Sequence, residues 1–319
     1  MSNKLNDALK TRYATQEDLK ILQKAMDTTT GADKLITVAY DKELQKDVYM
    51  QSPFLRYCEA NGVVTGANSD KVGYRKKTKN TKSSFIDETE AIPEFTASSF
   101  DDAVAKMRTL VYPVEVSDLA QKGVDAVDLL NDEIQDGYLD IAQTKDKAIL
   151  QGVGGDSDKD FPGLITSTKT HATSNTNKVL DLDTVDNVAQ EIIDDGGSPS
   201  AIVTTAKVQS QLKNMMESKQ RFLDKVDLNI GVRVTGYNAP NGVTIPIIVD
   251  PNIDTTKTEG HVLQFIDNRS YKVRELQAPT LVDLAKTKLS TSKLLFTWVT
   301  AYNRAEQWNG KITNIGDTE

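Results

Sequence analysis

The sequence predicts an α+β fold organised around one long helix, on three observations. Residues 125–155 place Val127, Leu130, Ile134, Ile141, Ala148 and Ile149, with Tyr138 beside them, three, four or seven positions apart, the spacing of one buried helical face. Residues 181–254 alternate helical and strand-like runs, and residues 255–319 return to β patterning. A long helix, a mixed α/β unit and a closing set of strands together make a mixed fold.

The long helix is the frame. Asp125, Asp128, Asp132, Glu133 and Asp136 crowd its first half and Lys145 and Lys147 its last turns, so its charges oppose the helix macrodipole. About 27 residues at roughly 1.5 Å each give a rod on the order of 40 Å, the width of a small domain. Gly152, Gly154 and Gly155 end it abruptly, and a polar turn then leads into the short apolar run FPGLITS.

Ahead of the frame, residues 1 to about 30 read as a polar helix in which Leu5, Leu9, Leu19, Leu22 and Met26 are thinly spread. Such a segment is an arm that docks on a neighbour or partner, or a frayed tail. From Leu35 to Gly62 a second helical stretch is expected, with Pro53 breaking it and Asn61-Gly62 ending it. Residues 69–100 sort their charges. Lys71, Arg75, Lys76, Lys77, Lys79 and Lys82 lie on the first limb, and Asp87, Glu88, Glu90 and Glu94 on the second. With Asn80, Thr81, Ser83 and Ser84 between them, the limbs read as a long hairpin too poor in apolar residues to enter a core. The hairpin projects. Its charges can pair across the limbs, at about 0.2–1 kcal/mol per pair, or match opposite charges on adjacent copies. A solvated loop is the plainer reading.

After the hairpin, TLVYPVEVS is a β-run from Arg108 to Ser117, and Asp118 can cap a short helix before Gly123. Beyond the long helix, FPGLITS reads as a short strand and TKTHATSNTNK as a turn-rich connection. A helix over Val185, Val188, Ile192 and Ile193 follows, then a strand AIVTT and a helix over Val208, Leu212, Met215 and Met216. Asn241-Gly242 turns the chain into the strand VTIPIIVDP. The last three strand-like runs, HVLQFID, YKVREL and KLLFTWVTAYNRAEQW, are expected to return and pair with the first unit.

Composition narrows the function classes. A formal charge of -8 argues against a free surface that grips nucleic acid through a basic patch, while an acidic wall still suits enclosing a polymer that must slide. No run approaches 18 apolar residues, and the polar N-terminus lacks a signal-peptide stretch, so neither membrane insertion nor export is indicated. The single cysteine, Cys58, excludes an intrachain disulfide and a multi-cysteine metal site, and its setting reads as a half-buried helix end.

A search for chemistry yields little. GVGGDSDK follows a helix and lacks the ending of a phosphate loop. Asp156, Asp158 and Asp160 have the opening spacing of a calcium loop, but Phe161 stands at the required glycine and Ser167 at the bidentate glutamate. His171 and His261 are isolated, as surface or satisfied histidines are. No catalytic, cofactor-binding or metal-ligating set is predicted. A cytoplasmic α/β enzyme centred on residues 181–254 would explain the elements but has no site.

At AILQGVGG and what surrounds it, the chain resembles the major capsid proteins of tailed bacteriophages, the fold named after phage Hong Kong 97. The resemblance runs in order through the charged hairpin, the β-run into Ser117, the long helix, PGLITS, DDGGSPSAIVTT, TGYNAPNGVTIPIIVDP and the closing TAYNRAEQWNGKITNI, about 285 residues from Leu35 onward. It implies an N-terminal arm and lead-in helix (1–68), an extended loop (69–104), a peripheral domain (105–180) with its spine helix at 125–152, an axial domain (181–254), and return strands of the peripheral domain (255–319). The loop residues Arg75, Lys76, Lys77, Lys79, Lys82, Asp87, Glu88, Glu90 and Glu94 would then contact a neighbour, and Val127, Leu130, Ile134, Ile141 and Ile149 form the spine's core face.

The partners implied are further copies in pentamers and hexamers, a separate scaffolding protein, a portal, double-stranded DNA held by non-specific contact and, left open, a decoration protein. The protein would reside in the virion after assembly in the host cytoplasm. The segment before Leu35 is too short for a scaffolding domain, so an uncleaved arm is expected. The Lys, Asn and Glu that cross-link some members are not recognisable, so assembly is expected to be non-covalent. An encapsulin-type compartment shares the fold and is the alternative.

Overall fold

Apolar strands buried on both faces and one long amphipathic helix force two sheets to share a core. The computed structural model describes residues 52–78, 85–88, 99–123, 128–155, 159–218, 225–227, 233–286 and 288–316. The helices expected before residue 52, and Val127, lie outside the described residues.

The first layer is a four-stranded sheet in the order β1-β11-β12-β4, made of β1 (Val64–Gly66), β4 (Arg108–Ser117), β11 (Tyr271–Asp283) and β12 (Ser290–Asn303). β12 is antiparallel to both long neighbours, with Phe296 opposite Val111 on one side and Thr280 on the other. On one face of this sheet lies α3 (Leu129–Gln151), preceded by the short α1 (Pro53–Ala60) and α2 (Asp118–Gly123). Asp128 caps α3, its carboxylate accepting the amide of Asn131. The helix begins four residues later than the 125–152 span expected, residues 124–127 not being described.

Ile141 and Ile149 are buried, and Leu130 and Ile134 are half-buried. The stripe continues through residues that apolar spacing does not register. Gly137, Lys145 and Asp146 are buried within it, while Tyr138, expected on the buried side, is exposed. Gly137 is small for a reason: a Cβ there would stand 2.7 Å from the Tyr112 ring.

The second layer is a seven-stranded sheet in the order β5-β13-β10-β6-β9-β8-β7. Its strands are β5 (His171–Ser174), β6 (Ala201–Thr204), β7 (Lys225–Asp227), β8 (Arg233–Asn238), β9 (Thr244–Val249), β10 (His261–Ile266) and β13 (Gly310–Ile315). All four residues of β6 are buried, because both faces are covered. Ile202, Ile247, Leu263 and Phe265 pack with α5 (Leu182–Asp194) and α6 (Ala206–Ser218) in one core. Ala201, Val203, Ile248 and Ile266 pack with α1, the end of α3 and Val299 and Ala301 of the four-stranded sheet in the other.

Several expectations are corrected. Pro53 starts a helix instead of breaking one, because at the first helical position its missing N–H has no partner to lose. Cys58 is fully buried inside α1, and burial pushes its thiol well above the usual range. FPGLITS contains a helical turn, α4 (Leu164–Ser167), and the connection after it contains strand β5, which pairs parallel with β13. Residues 255–319 do not all return to the first sheet: β11 and β12 do, whereas β10 and β13 belong to the seven-stranded sheet.

Candidate interaction surfaces

The hairpin consists of β2 (Lys71–Thr78) and β3 (Ser99–Lys106), antiparallel with Lys71 opposite Lys106 and Thr78 opposite Ser99. The acidic limb expected at Asp87–Glu94 is therefore not the paired strand. Pro93, which has no N–H to give a ladder, was the available signal against it. Arg75 faces Asp102, with Nε donating to Oδ1 at 3.0 Å, and both side chains are largely exposed at 77% and 72%. Lys76 and Lys77 stand opposite Asp101 and Phe100 in register, and of these lysines only the backbone is described. Asp87 and Glu88 are exposed and lie in no strand, while Lys79, Lys82, Glu90 and Glu94 fall outside the described residues. The acidic partners missed by sequence reading are Asp101 and Asp102.

The hairpin is held at its base. Tyr74 stacks on Tyr302 of β12 with ring centroids 4.6 Å apart and planes at 13°. Arg274 and Arg304 each donate to the Tyr302 hydroxyl at 3.3 Å, and Arg274 also reaches the Gly66 carbonyl at 3.1 Å. Hydrogen bonds from those guanidinium groups draw the Tyr302 hydroxyl below its ordinary pKa, outweighing the opposing effect of burial. Phe100, opposite Lys77 farther out, and Val104, opposite Gly73 at the base, are exposed apolar residues, as is Phe85.

Beside this base sits the corner that ends α3. The Gly163 amide donates to the Gly152 carbonyl at 2.9 Å, and a Cβ on Gly163 would lie 2.5 Å from Gly152 N, so two backbones cross where no side chain fits. Gly154 has a φ of +63°. Asp160 accepts the amides of Val153 at 2.9 Å and Gly154 at 3.2 Å, so its carboxylate holds the turn. Asp156 and Asp158 lie outside the described residues. Among the described residues no group of three His, Cys, Asp or Glu is arranged to hold a metal ion, and no helix is long and apolar enough to cross a membrane. The two histidines are satisfied. His171 meets Glu191 at 3.2 Å and Asp195 at 3.0 Å, and His261 meets the Thr205 hydroxyl at 3.1 Å.

A buried polar seam joins the layers. The free amides of Phe54 and Leu55 at the start of α1 donate to Asp250 at 3.1 Å and Asp146 at 2.9 Å. Asn252 bridges the two carboxyls, its Nδ2 donating to Asp146 and its amide to Asp250. Burial, reinforced by the neighbouring Asp250 carboxyl, raises Asp146 to about 8, and burial also raises Asp250, so the pair retains a proton. Nearby, Lys145 pairs with Glu275 at 3.1 Å, and Thr297 also donates to Glu275.

The opposite face of the four-stranded sheet carries an apolar patch. Val111, Pro113 and Val282 are exposed there, with Leu294, Phe296 and Trp298 half-buried on alternate positions of β12. A hairpin with an exposed ion pair and exposed apolar residues, and an apolar patch exposed among the described residues of the sheet, describe a subunit built to meet other chains. The profile of the SU10 major capsid protein family matches residues 29–316. The chain belongs to that family. Its fold is that of a phage capsid protein, and membership makes it a structural component of the virion.

Solved relatives of this capsid protein are distant in sequence and close in fold. The capsid of cyanophage A-1(L) matches with a TM-score of 0.69 at 11% identity, covering 91% of this chain and 99% of that one. The capsid of a native GTA particle matches at 0.65 and 15% identity, covering 91% and 99%. The SrpI encapsulin complex of Synechococcus elongatus matches at 0.64 and 9% identity, covering 91% and 95%. No curated protein sequence matches the chain.

Proposed function

We propose that copies of this major capsid protein close non-covalently into an icosahedral shell of pentamers and hexamers around double-stranded DNA. The four-stranded sheet with α3 serves as the peripheral domain, and the seven-stranded sheet with α5 and α6 as the axial domain. The observation that carries the reading is the β2–β3 hairpin: anchored at Tyr74, it extends exposed charge and exposed phenylalanines away from its own core, which profits only a chain that meets a neighbour. Exposed ion pairs of about 0–1 kcal/mol suit contacts that must form, correct and accumulate over many copies. The chain acts as a structural protein without catalysis, assembled in the host cytoplasm with a separate scaffolding protein and a portal.

Negative-stain microscopy of the purified protein tests this. Closed particles without protein cargo are expected. Particles that hold protein cargo and no nucleic acid would favour the encapsulin-type shell that the SrpI likeness keeps in view, and a monodisperse small oligomer would overturn both. Reversing Lys76, Lys77, Lys79 and Lys82 to Glu is expected to stop shell formation while leaving a folded subunit.

A further inference from the structure

The layer between α3 and β4 is closed at one end and open at the other. Gly137 lets the Tyr112 ring lie against the helix, so the two elements meet there. About two turns farther on, Thr144 and Ala148 face the same layer, and these small side chains one turn apart do not fill the space between helix and sheet. A cavity of about 430 Å³ remains beside the corner that ends α3. Its size falls in the range of about 300–1,000 Å³ that holds small ligands.

The lining is apolar inside and cationic at the mouth. Phe161 and Val299 are buried on the floor, Leu110 and Ala148 are half-buried in the walls, and Val153 leaves 56% of its surface in water. Arg108 stands opposite Val299 in the β4–β12 register, and its Nη2 donates to the Gly155 carbonyl at 2.8 Å. That contact orients the guanidinium without neutralising it and leaves other N–H groups of the fork for a carboxylate. Lys159 is exposed beside it, and among the described residues neither cation has a carboxylate at ion-pair distance. Lys145 differs: its ammonium is paired with Glu275 at 3.1 Å, so it adds only its stem to the wall. Asp160, the one carboxylate in the lining, is taken up by the amides of Val153 and Gly154.

We infer that this cavity binds a small amphiphilic anion, an apolar body carrying one carboxylate, of which a medium-chain fatty acid is the simplest. The body lies between α3 and β4, where it covers Val153, Leu110 and Ala148, and the carboxylate meets Arg108 and Lys159. The site belongs to a single subunit and does not depend on how copies assemble. A ligand held there ties the end of the helix to the sheet, and because only the folded chain has the cavity, binding stabilises the fold by mass action.

Dodecanoate titrated into the purified full chain, followed by calorimetry and by thermal melting, tests the site. Dodecanoate should bind saturably, one per chain, and raise the melting temperature. Dodecanol and dodecylammonium have the same tail and no negative charge, and should bind at least tenfold more weakly. Lys159→Glu should weaken dodecanoate at least tenfold while the ligand-free melt and dodecanol binding keep their wild-type values. Leu110→Trp and Ala148→Trp fill the cavity from opposite walls, and either one that still melts cooperatively should lose both ligands. Because Lys159 is exposed, its substitution decides the matter even where neither tryptophan variant folds. Absence of saturable binding to the wild type overturns the site, as does binding that persists in a folded tryptophan variant. Equal affinity for dodecanol and dodecanoate, or an unchanged affinity in Lys159→Glu, overturns the assignment of an anion.

Discussion

The seam around α1 and the hairpin of β2 and β3 use similar residues to opposite ends. In the seam, Asp146, Asp250, Lys145 and Glu275 are held by partners from four parts of the chain, and their geometry is settled within one subunit. In the hairpin, Arg75 and Asp102 pair in open water where the contact contributes little, and the element's position is set mainly by the Tyr74 stack at its root. Charge buried in the first region defines a fold. Charge exposed in the second is available to another chain.

Breaking α3 should have the largest effect. Ile141→Pro removes a helical hydrogen bond on the fully buried face and should cost about 3 kcal/mol or more, abolishing soluble subunits and shells together. Intact shells from that variant would refute the helix as the frame. Next, Lys145→Ala strands Glu275 without its ammonium and should destabilise by about 3 kcal/mol in denaturant titration. The figure sits at the low end for a broken buried pair because Glu275 keeps the Thr297 hydroxyl and some solvent.

The carboxyl pair sharpens the contrast through pH. Both groups titrate above the ordinary 3.8 in the folded chain, so the folded state holds a proton that the unfolded state releases. Their stabilising contribution is complete below about pH 4 and declines as pH rises towards the folded value near 8. Asp250→Asn should flatten that decline between pH 5 and 8, measured as melting temperature relative to wild type. An unchanged slope would show that the pair carries no shared proton. The smallest effect belongs to the hairpin: Arg75→Ala should change subunit stability by less than about 1 kcal/mol. A larger loss would mean that the hairpin is part of the subunit's own core.

The same contrast explains what was legible in the sequence. The α3 stripe, the β-run into Ser117 and the alternation along β12 could be read because each repeats a period over ten or more residues. FPGLITS could not, since four apolar or small residues fit a helical turn as well as a strand. The positions of Gly137, Lys145 and Asp146 within the buried stripe were invisible because hydrophobic spacing counts side chains and says nothing of what a neighbouring element brings to meet them. The hairpin's true partner strand was missed for a related reason: sorted charge identifies two limbs that can attract, whereas register is fixed by the backbone ladder from Lys71 to Lys106.

One consequence of the seam concerns force. The first two free amides of α1 are fastened to Asp146 on the helix that backs one sheet and to Asp250 just past a strand of the other. Tension on the chain preceding Ser52 is therefore divided between two anchors in parallel, one in each layer. A pull from that side loads both sheets at once instead of peeling one away, so the clip behaves as a strain-sharing joint between the two layers.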